Sequence, residues 1–212
     1  GSNSKGQVGD GTQNNRLSPV LVLQSCSGLD SCTGPTNEIF VRVVAGAFHS
    51  MALCKSGRVL SWGENYLGQL GDGSNADRSQ PDYVKHLKGN VVQLFSGSGA
   101  FHSIALLENG EVQAWGDGSK GQLGVGGLAP QNYPTTVAGL SGTLASAALG
   151  REHSLGVSGP TQALTVWGTN TYGQLASETT ATQITSPLSH STKGVLFVEA
   201  GWFHSFAIWS AS

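Results

Sequence analysis

Two short phrases recur along this 212-residue chain at a nearly constant spacing. The dipeptide His-Ser occurs four times, at intervals of 53, 51 and 51 residues, and its histidines are His49, His102, His153 and His204. A glycine-rich phrase recurs in step with it, beginning at residues 1, 63, 116 and 168 and reading, for example, GENYLGQLGDGS and GDGSKGQLGVGG. A period of about 50 residues is typical of β-propeller blades, so this repeat constrains the fold more than any other feature.

Each repeat contains four segments with the pattern of β-strands. They are a leading segment such as SPVLVL (18–23), an apolar run such as FVRVVAG (40–46), then HSMALC (49–54), and a closing segment such as RVLSWG (58–63). A four-stranded sheet cannot bury both of its faces alone, so we expect successive sheets to stack around an axis. We therefore predict an all-β fold, a β-propeller of about four blade-like four-stranded repeats, with an open β-solenoid as the alternative.

The composition agrees with this fold and excludes some functions. The chain has 31 glycines and only 11% charged residues, which suits short strands joined by tight turns. Its formal net charge of −2 and pI near 6.3 lack the basic excess that nucleic-acid phosphates require, so we do not expect nucleic acid as a partner. No apolar run approaches the roughly 20 residues needed to cross a bilayer, so we do not expect membrane insertion.

The repeat also defines the domain organisation. We interpret residues 1–212 as one repeat domain whose units divide near residues 50, 103 and 154. Gly1 corresponds to Gly63 and Ser212 to Gly57, so both ends fall inside a unit and a closing strand is expected after Ser212. We expect a segment of a larger propeller, the alternatives being a small closed ring or two chains that complete one another. The longer first interval places an insertion of about ten residues near QSCSGLDSCTGPTNE.

The glycine-rich phrase has three possible uses. A phosphate loop requires a lysine and a following helix, and GQLGDGSNADRS supplies neither. A calcium loop would require an acid in every copy, but Asp10 and Asp72 give way to Val125 in the third copy and to Ala176 or Ser177 in the fourth. Glycines at turn positions of positive φ, with Asn and Gln amides bonded to the loop backbone, explain all four copies. We interpret the phrase as scaffold.

The four histidines raise the possibility of a metal site, because equivalent side chains surround one axis. Each histidine begins a strand, however, where its imidazole can hydrogen-bond the neighbouring backbone, so we favour a structural role over a metal. The adjoining serine is not expected to form a catalytic dyad with it, because consecutive strand residues point to opposite faces. We predict no catalytic residue, no metal and no cofactor.

The tryptophans and cysteines have simpler interpretations. The tryptophans that close each Trp-Gly pair should lie in the core between blades, and they are Trp62, Trp115 and Trp167. Cys54 lies in a predicted strand as a small buried hydrophobe. Cys26 and Cys32 flank a short loop, where a disulfide and two free thiols are equally consistent with the sequence.

The residues between the glycine and His-Ser vary although the flanking residues repeat. We place these variable pairs in a turn between two strands, so equivalent turns should align on one face. The predicted partner-binding residues are Phe48, Phe101, Arg151, Glu152, Trp202 and Phe203, a composition typical of binding hot spots. The alternative is that Phe48, Phe101 and Phe203 pack as core between blades.

Residues 45–74, AGAFHSMALCKSGRVLSWGENYLGQLGDGS, resemble the repeat of the regulator of chromosome condensation family. Residues 99–124 form a second close copy, and WGTNTYGQL and AGWFHSFAI are partial ones. The resemblance implies a seven-bladed propeller that binds another protein through loops on one face. It also implies the alternative of exchange-factor activity toward a small GTPase.

Overall fold

The computed structural model describes residues 1–22, 38–141, 144–176, 181–189 and 194–210. Within these residues the chain forms β-strands and no helix, which confirms the all-β prediction. This part of the chain accordingly contains no helix that is long and apolar enough to cross a membrane.

The strands form three four-stranded sheets and one two-stranded sheet, each antiparallel and in chain order. The first sheet contains β1 (Phe40–Ala45), β2 (His49–Cys54), β3 (Val59–Gly63) and β4 (Arg78–Tyr83). The second contains β5 (Val91–Phe95), β6 (His102–Leu107), β7 (Glu111–Gly116) and β8 (Gln131–Ser141). The third contains β9 (Leu144–Leu149), β10 (His153–Ser158), β11 (Leu164–Thr169) and β12 (Gln183–Ser189). The last contains β13 (Val195–Ala200) and β14 (Ser205–Trp209).

The leading segment of each sequence unit does not belong to the sheet that follows it. β4 comes after the second glycine-rich phrase and pairs with β3 of the preceding sheet, and β8 and β12 behave in the same way. The prediction of a strand at SPVLVL is wrong for residues 18–22, which form no strand in the structure. Residue 23 lies outside the described residues. The physical reason is pairing, because the described residues contain no strand equivalent to β3 beside this segment.

The sheets are arranged as blades of a propeller. Their first strands, β1, β5, β9 and β13, contact one another and line one cavity of about 250 Å³. Because neighbouring strands are antiparallel, the turn after each first strand and the glycine-rich phrase after each third strand lie at the same end. We call this end the upper face.

The core lies between successive blades. Trp115 of the second blade is fully buried against Met51 and Val59 of the first. Trp167 of the third blade is fully buried against Ile104 and Val112 of the second. The predicted place between blades is confirmed for Trp115 and Trp167, and Trp62 is buried against Ala52, Cys54 and Leu60 of its own sheet. Burying such large rings supplies several kcal/mol each, about 25 cal/mol per Å² of apolar surface.

Candidate functional site

The glycine-rich phrases anchor each blade to the preceding one. Trp115 Nε1 donates a hydrogen bond of 3.0 Å to the Gln69 carbonyl oxygen in the loop after the first blade. Trp167 Nε1 donates one of 2.8 Å to the carbonyl oxygen of Gln122, which also accepts a 2.9 Å bond from the Ser154 hydroxyl. These bonds satisfy groups that would be costly to bury unpaired.

Asn and Gln side chains of the glycine-rich phrases also stabilise the backbone conformation of their own phrase. The Asn65 side-chain oxygen accepts a hydrogen bond from the Leu70 amide at 2.9 Å, and the Gln69 side-chain oxygen accepts one from Leu67 at 2.9 Å. Asn3 and Asn170 accept the equivalent bonds in the first and fourth phrases. The interpretation as scaffold is confirmed.

The aspartates of the glycine-rich phrases form ion pairs and hydrogen bonds with residues near them in the chain. Asp72 is 3.0 Å from Arg78, and its carboxylate accepts hydrogen bonds from Asn65 and Ser74. Burial opposes ionisation of Asp72, but these hydrogen bonds and Arg78 outweigh it and lower its pKa. Asp10 pairs with Arg16 in the same way.

Three of the four histidines, His49, His102 and His153, hydrogen-bond serine side chains of the next blade, whereas the sequence predicted bonds to the neighbouring backbone. His49 Nε2 lies 3.0 Å from Ser103 Oγ, and His102 Nε2 lies 2.7 Å from Ser154 Oγ. His153 Nε2 lies 2.9 Å from Ser205 Oγ. The partners differ from those expected because serines about 50 residues away are brought close only when the blades stack.

The His49–Ser103 and His102–Ser154 pairs are buried, and the His153–Ser205 pair is partly buried. Burial lowers the pKa of His49 to about 4, and burial together with the neighbouring histidines lowers that of His102 to about 3. Because the Ser154 hydroxyl donates to Gln122, it can only accept from His102, which fixes the proton on Nε2. No group of three or more His, Cys, Asp or Glu side chains in the described ranges is placed to hold a metal ion.

The turns that carry the predicted binding residues lie side by side on the upper face. The Ala47 amide donates to the Ala100 carbonyl at 2.9 Å, and the Arg151 amide donates to the Trp202 carbonyl at 3.3 Å, so backbone bonds connect turns of neighbouring blades. The structure thus brings Phe48, Phe101, Arg151, Glu152, Trp202 and Phe203 to one end of the molecule.

The side chains of these turns contact one another. The rings of Phe48 and Phe101 have centroids 6.0 Å apart, and those of Trp202 and Phe203 are 6.3 Å apart. The Arg151 guanidinium lies over the Trp202 ring at 5.2 Å. Arg151 and Glu152 lie 3.8 Å apart as an ion pair.

The exposed fractions of these residues argue against a core position for most of these aromatics. Trp202 is 49% exposed, Phe48 42% and Phe203 40%. Phe101 is half-buried. A Cβ placed on Gly99 would lie 2.5 Å from Trp202 Cδ1, so the indole packs closely against the turn of the second blade.

Two tyrosines that the sequence analysis missed extend this surface. Tyr66 packs edge-on against Phe101 at 6.4 Å, and Tyr172 packs edge-on against Phe203 at 5.7 Å. Both are exposed and occupy positions of the glycine-rich phrase that differ between copies, which is the signal that could have found them. The aromatic face is hereafter Phe48, Tyr66, Phe101, Arg151, Glu152, Tyr172, Trp202 and Phe203.

Cys54 ends β2 and does not belong to the aromatic face. Cys54 is buried as predicted, and burial, with a contribution from Glu38, raises the pKa of its thiol to about 12. Cys26 and Cys32 lie outside the described residues, so the choice between a disulfide and free thiols stays as the sequence left it.

Two solved structures align with most of this chain. Human WBSCR16 aligns with 84% of this chain and 47% of its own, at a TM-score of 0.71 and 28% identity. Yeast RCC1 (Prp20) in its crystal structure with Kap60 aligns with 80% of this chain and 40% of its own, at a TM-score of 0.68 and 26% identity. These alignments agree with the propeller arrangement of the blades.

Sequence comparison gives the same family. "Probable E3 ubiquitin-protein ligase HERC6" of Homo sapiens is 35% identical over 216 residues, which is 97% of this chain but only 20% of the relative. E3 ubiquitin-protein ligase HERC2 of Homo sapiens is 35% identical over 60% of this chain and 3% of the relative. The family model described as "Regulator of chromosome condensation (RCC1) repeat" matches residues 1–53, 56–106 and 109–157. The chain therefore belongs to the RCC1 repeat family.

Proposed function

We propose that this chain is a non-catalytic protein–protein interaction platform and that it binds its partner through the aromatic face. The observation that carries the proposal is the row of solvent-exposed aromatic rings held in place by backbone-bonded turns. Exposed aromatics that cluster beside an arginine are the composition of interface hot spots.

The rigidity of the aromatic face supports this role. The rings contact one another, the turns are bonded between blades, and Arg151 is held by both Trp202 and Glu152. The side chains of the aromatic face are already ordered, so binding of a partner costs little of their conformational entropy. This low cost favours affinity. The scaffold below is fixed by buried anchors, so the surface can vary without loss of the fold.

Relatives of the chain bind proteins. Yeast RCC1 (Prp20) is bound to Kap60 in one crystal structure, and Prp20p from Saccharomyces cerevisiae is described with its binding properties to Gsp1p and histones. The second of these structures is 21% identical to this chain, so the comparison with it supports only the similarity of the fold. A protein partner for this chain is consistent with the complex of yeast RCC1 (Prp20) and Kap60, and the identity of the partner is open to experiment.

Affinity purification followed by quantitative binding tests the proposal. Proteins captured by the chain are identified by mass spectrometry, purified, and titrated against the chain, Trp202→Ala and the control Leu188→Ala, which replaces an exposed side chain on the outer strand β12. We expect Trp202→Ala to weaken binding by about 2 kcal/mol, roughly 30-fold, with the control unchanged. Equal affinities for all three proteins would refute the proposal.

Exchange-factor activity is the alternative that the sequence left open. No specific feature of the aromatic face favours it over simple binding, so it stays a prediction from resemblance. Nucleotide release from a purified small GTPase, measured with and without the chain, distinguishes the two functions.

A further inference from the structure

The upper face holds one guanidinium group that belongs to this chain. The Arg151 guanidinium lies 5.2 Å from the centroid of the Trp202 ring, and Arg151 Nε lies 3.8 Å from the Glu152 carboxylate. The face of an aromatic ring attracts a cation, and an adjacent carboxylate adds an ion pair to the same group. An aromatic ring beside a carboxylate is therefore an arrangement that this surface already uses to hold an arginine.

A second group of rings with a carboxylate lies between the first two blades. Tyr66 packs against Phe101 with the ring planes at 73° and the centroids 6.4 Å apart, so the two rings form a corner. The Asp117 amide donates to the Phe101 carbonyl at 2.9 Å, which brings the aspartate beside this corner. Burial, followed by the negative charges of Glu64 and Asp117, raises the pKa of Tyr66, so both carboxylates act on its side chain.

Asp117 differs from the neighbouring carboxylates because no cation of this chain balances it. Glu64 is paired with Lys5 at 3.0 Å, and Glu152 is paired within its own turn. Asp117 Oδ1 accepts the Ser119 amide at 2.9 Å. Among the described residues, Asp117 forms no ion pair, and its Oδ2 atom accepts no hydrogen bond.

The corner is open to solvent and to a partner. Tyr66 is 55% exposed, and both Phe101 and Asp117 are half-buried. Phe48 supports the corner from the first blade, since its ring centroid lies 6.0 Å from that of Phe101. The site thus has the rings and the carboxylate of the Arg151 arrangement, without a guanidinium.

We propose that Tyr66, Phe101 and Asp117 bind an arginine side chain of the protein partner, and we call these three residues the arginine site. The inference rests on the proposed function, because it names the chemistry that the aromatic face recognises. A guanidinium is planar, so it can stack on a ring while an N–H in its plane donates to the Asp117 carboxylate. The ammonium group of lysine is compact and more strongly hydrated, so it fits this combination less well.

A nuclear magnetic resonance titration of the whole 212-residue chain tests the inference. The probe is N-acetyl-arginine methylamide, and its neutral counterpart is N-acetyl-citrulline methylamide, which has nearly the same shape but no charge. We expect the arginine probe to shift the signals of Tyr66, Phe101 and Asp117 saturably, with a dissociation constant in the millimolar range. The citrulline probe should bind at least about tenfold more weakly, and the corresponding lysine probe at least about threefold more weakly.

Two variants and a matched control locate the binding. Asp117→Asn keeps the oxygen that accepts the Ser119 amide but removes the charge, so it should weaken binding at least about fivefold without loss of the fold. Tyr66→Leu keeps an apolar side chain but removes the ring, and it should also weaken binding. Glu108→Gln removes the same charge as Asp117→Asn from an exposed residue between β6 and β7, at the opposite end of the blade, and should leave binding unchanged.

The protein captured in the affinity purification provides a second test. Asp117→Asn is combined with replacement of each arginine on the binding surface of that protein by glutamine, in double-mutant cycles. We expect one arginine whose replacement weakens binding to the unaltered chain and has little further effect on Asp117→Asn. This result would identify the residue that occupies the arginine site.

Several results would overturn the inference. With the probes, they are the absence of saturable shifts, equal binding of the citrulline or lysine probe, and equal binding to Asp117→Asn. With the captured protein, a loss of affinity in Trp202→Ala but none in Asp117→Asn would overturn the arginine site and leave the proposed function intact. An unchanged affinity in Trp202→Ala would instead refute the proposed function, and the inference would fail with it.

Discussion

The Nε2 atom of His102 lies 2.7 Å from the hydroxyl oxygen of Ser154 in the next blade. The same hydroxyl donates to the Gln122 carbonyl, which in turn accepts the indole N–H of Trp167. A histidine of one blade, a loop that follows it, and a serine and tryptophan of the next are thereby joined in a single buried network.

Ser154→Ala should destabilise the fold through this network. The substitution removes the acceptor of a buried His102 N–H, which costs about 1–3 kcal/mol. Ser50→Ala is the matched control, because the Ser50 hydroxyl donates to the Gln7 carbonyl and, in the described ranges, pairs with no histidine. Urea unfolding of both variants measures the difference, and equal losses would show that the histidine bond contributes nothing.

Stability should rise with pH between about 4 and 6.5. The pKa values of His49 and His153 are lowered to about 4, chiefly by burial, from an ordinary value of 6.5. In this window the unfolded chain binds protons at these positions and the folded chain does not, so each histidine adds up to about 1.4 kcal/mol per pH unit to the slope. The lowered pKa of Asp72 contributes only nearer its ordinary value of 3.8 and below.

Urea unfolding at a series of pH values tests this dependence. The variant His153→Gln removes one titrating group and should give a shallower slope, whatever its overall stability. A free energy of unfolding that is flat between about pH 5 and 6.5 would mean that the buried histidines bind protons as readily as free ones.

Gly71→Ala should destabilise the chain by about 1–3 kcal/mol. Gly71 has a φ of +65°, and a Cβ there would lie 2.9 Å from Nε1 of the buried Trp115. Gly127→Ala is the control, because its Cβ would meet nothing within 4 Å and its φ is not in the left-handed region. Thermal unfolding of the two variants compares them, and similar melting temperatures would contradict the tight fit of indole and loop.

Trp167→Ala should cost about 3–5 kcal/mol, because it empties a fully buried site and leaves the Gln122 carbonyl with one donor fewer. Trp202→Ala removes the same side chain from a half-exposed position and should cost much less. Chemical denaturation of both variants provides the measurement, and comparable losses would place Trp202 in the core.

The strands and the core tryptophans could be predicted from sequence because both follow from local pattern. HSMALC was predicted as a strand and is β2, His49–Cys54, and the Trp-Gly pairs end third strands as expected. The exposure of Trp202 followed from variation at an otherwise repeated position.

The remaining features depend on contacts between residues distant in sequence. β4 pairs with β3 across a glycine-rich loop. To predict this pairing, one must know which strand has a free edge, and the periodicity of the sequence does not show that. The bond from His102 to Ser154 spans 52 residues and exists only because two blades stack. Tyr66 joined the aromatic face by the same stacking, since its partner Phe101 belongs to the next blade.

The carbonyl of Gln122 belongs to the loop after the second blade, yet its two donors, Ser154 and Trp167, belong to the third. Each blade therefore owes its stability to its immediate neighbours, as in a one-dimensional lattice with nearest-neighbour coupling. Amide hydrogen exchange should accordingly be slowest in β6 and β10, whose blades have neighbouring blades on both sides. We expect that loss of one such contact between blades lowers the cooperativity of unfolding. The blades on either side of the lost contact should then unfold as two independent parts.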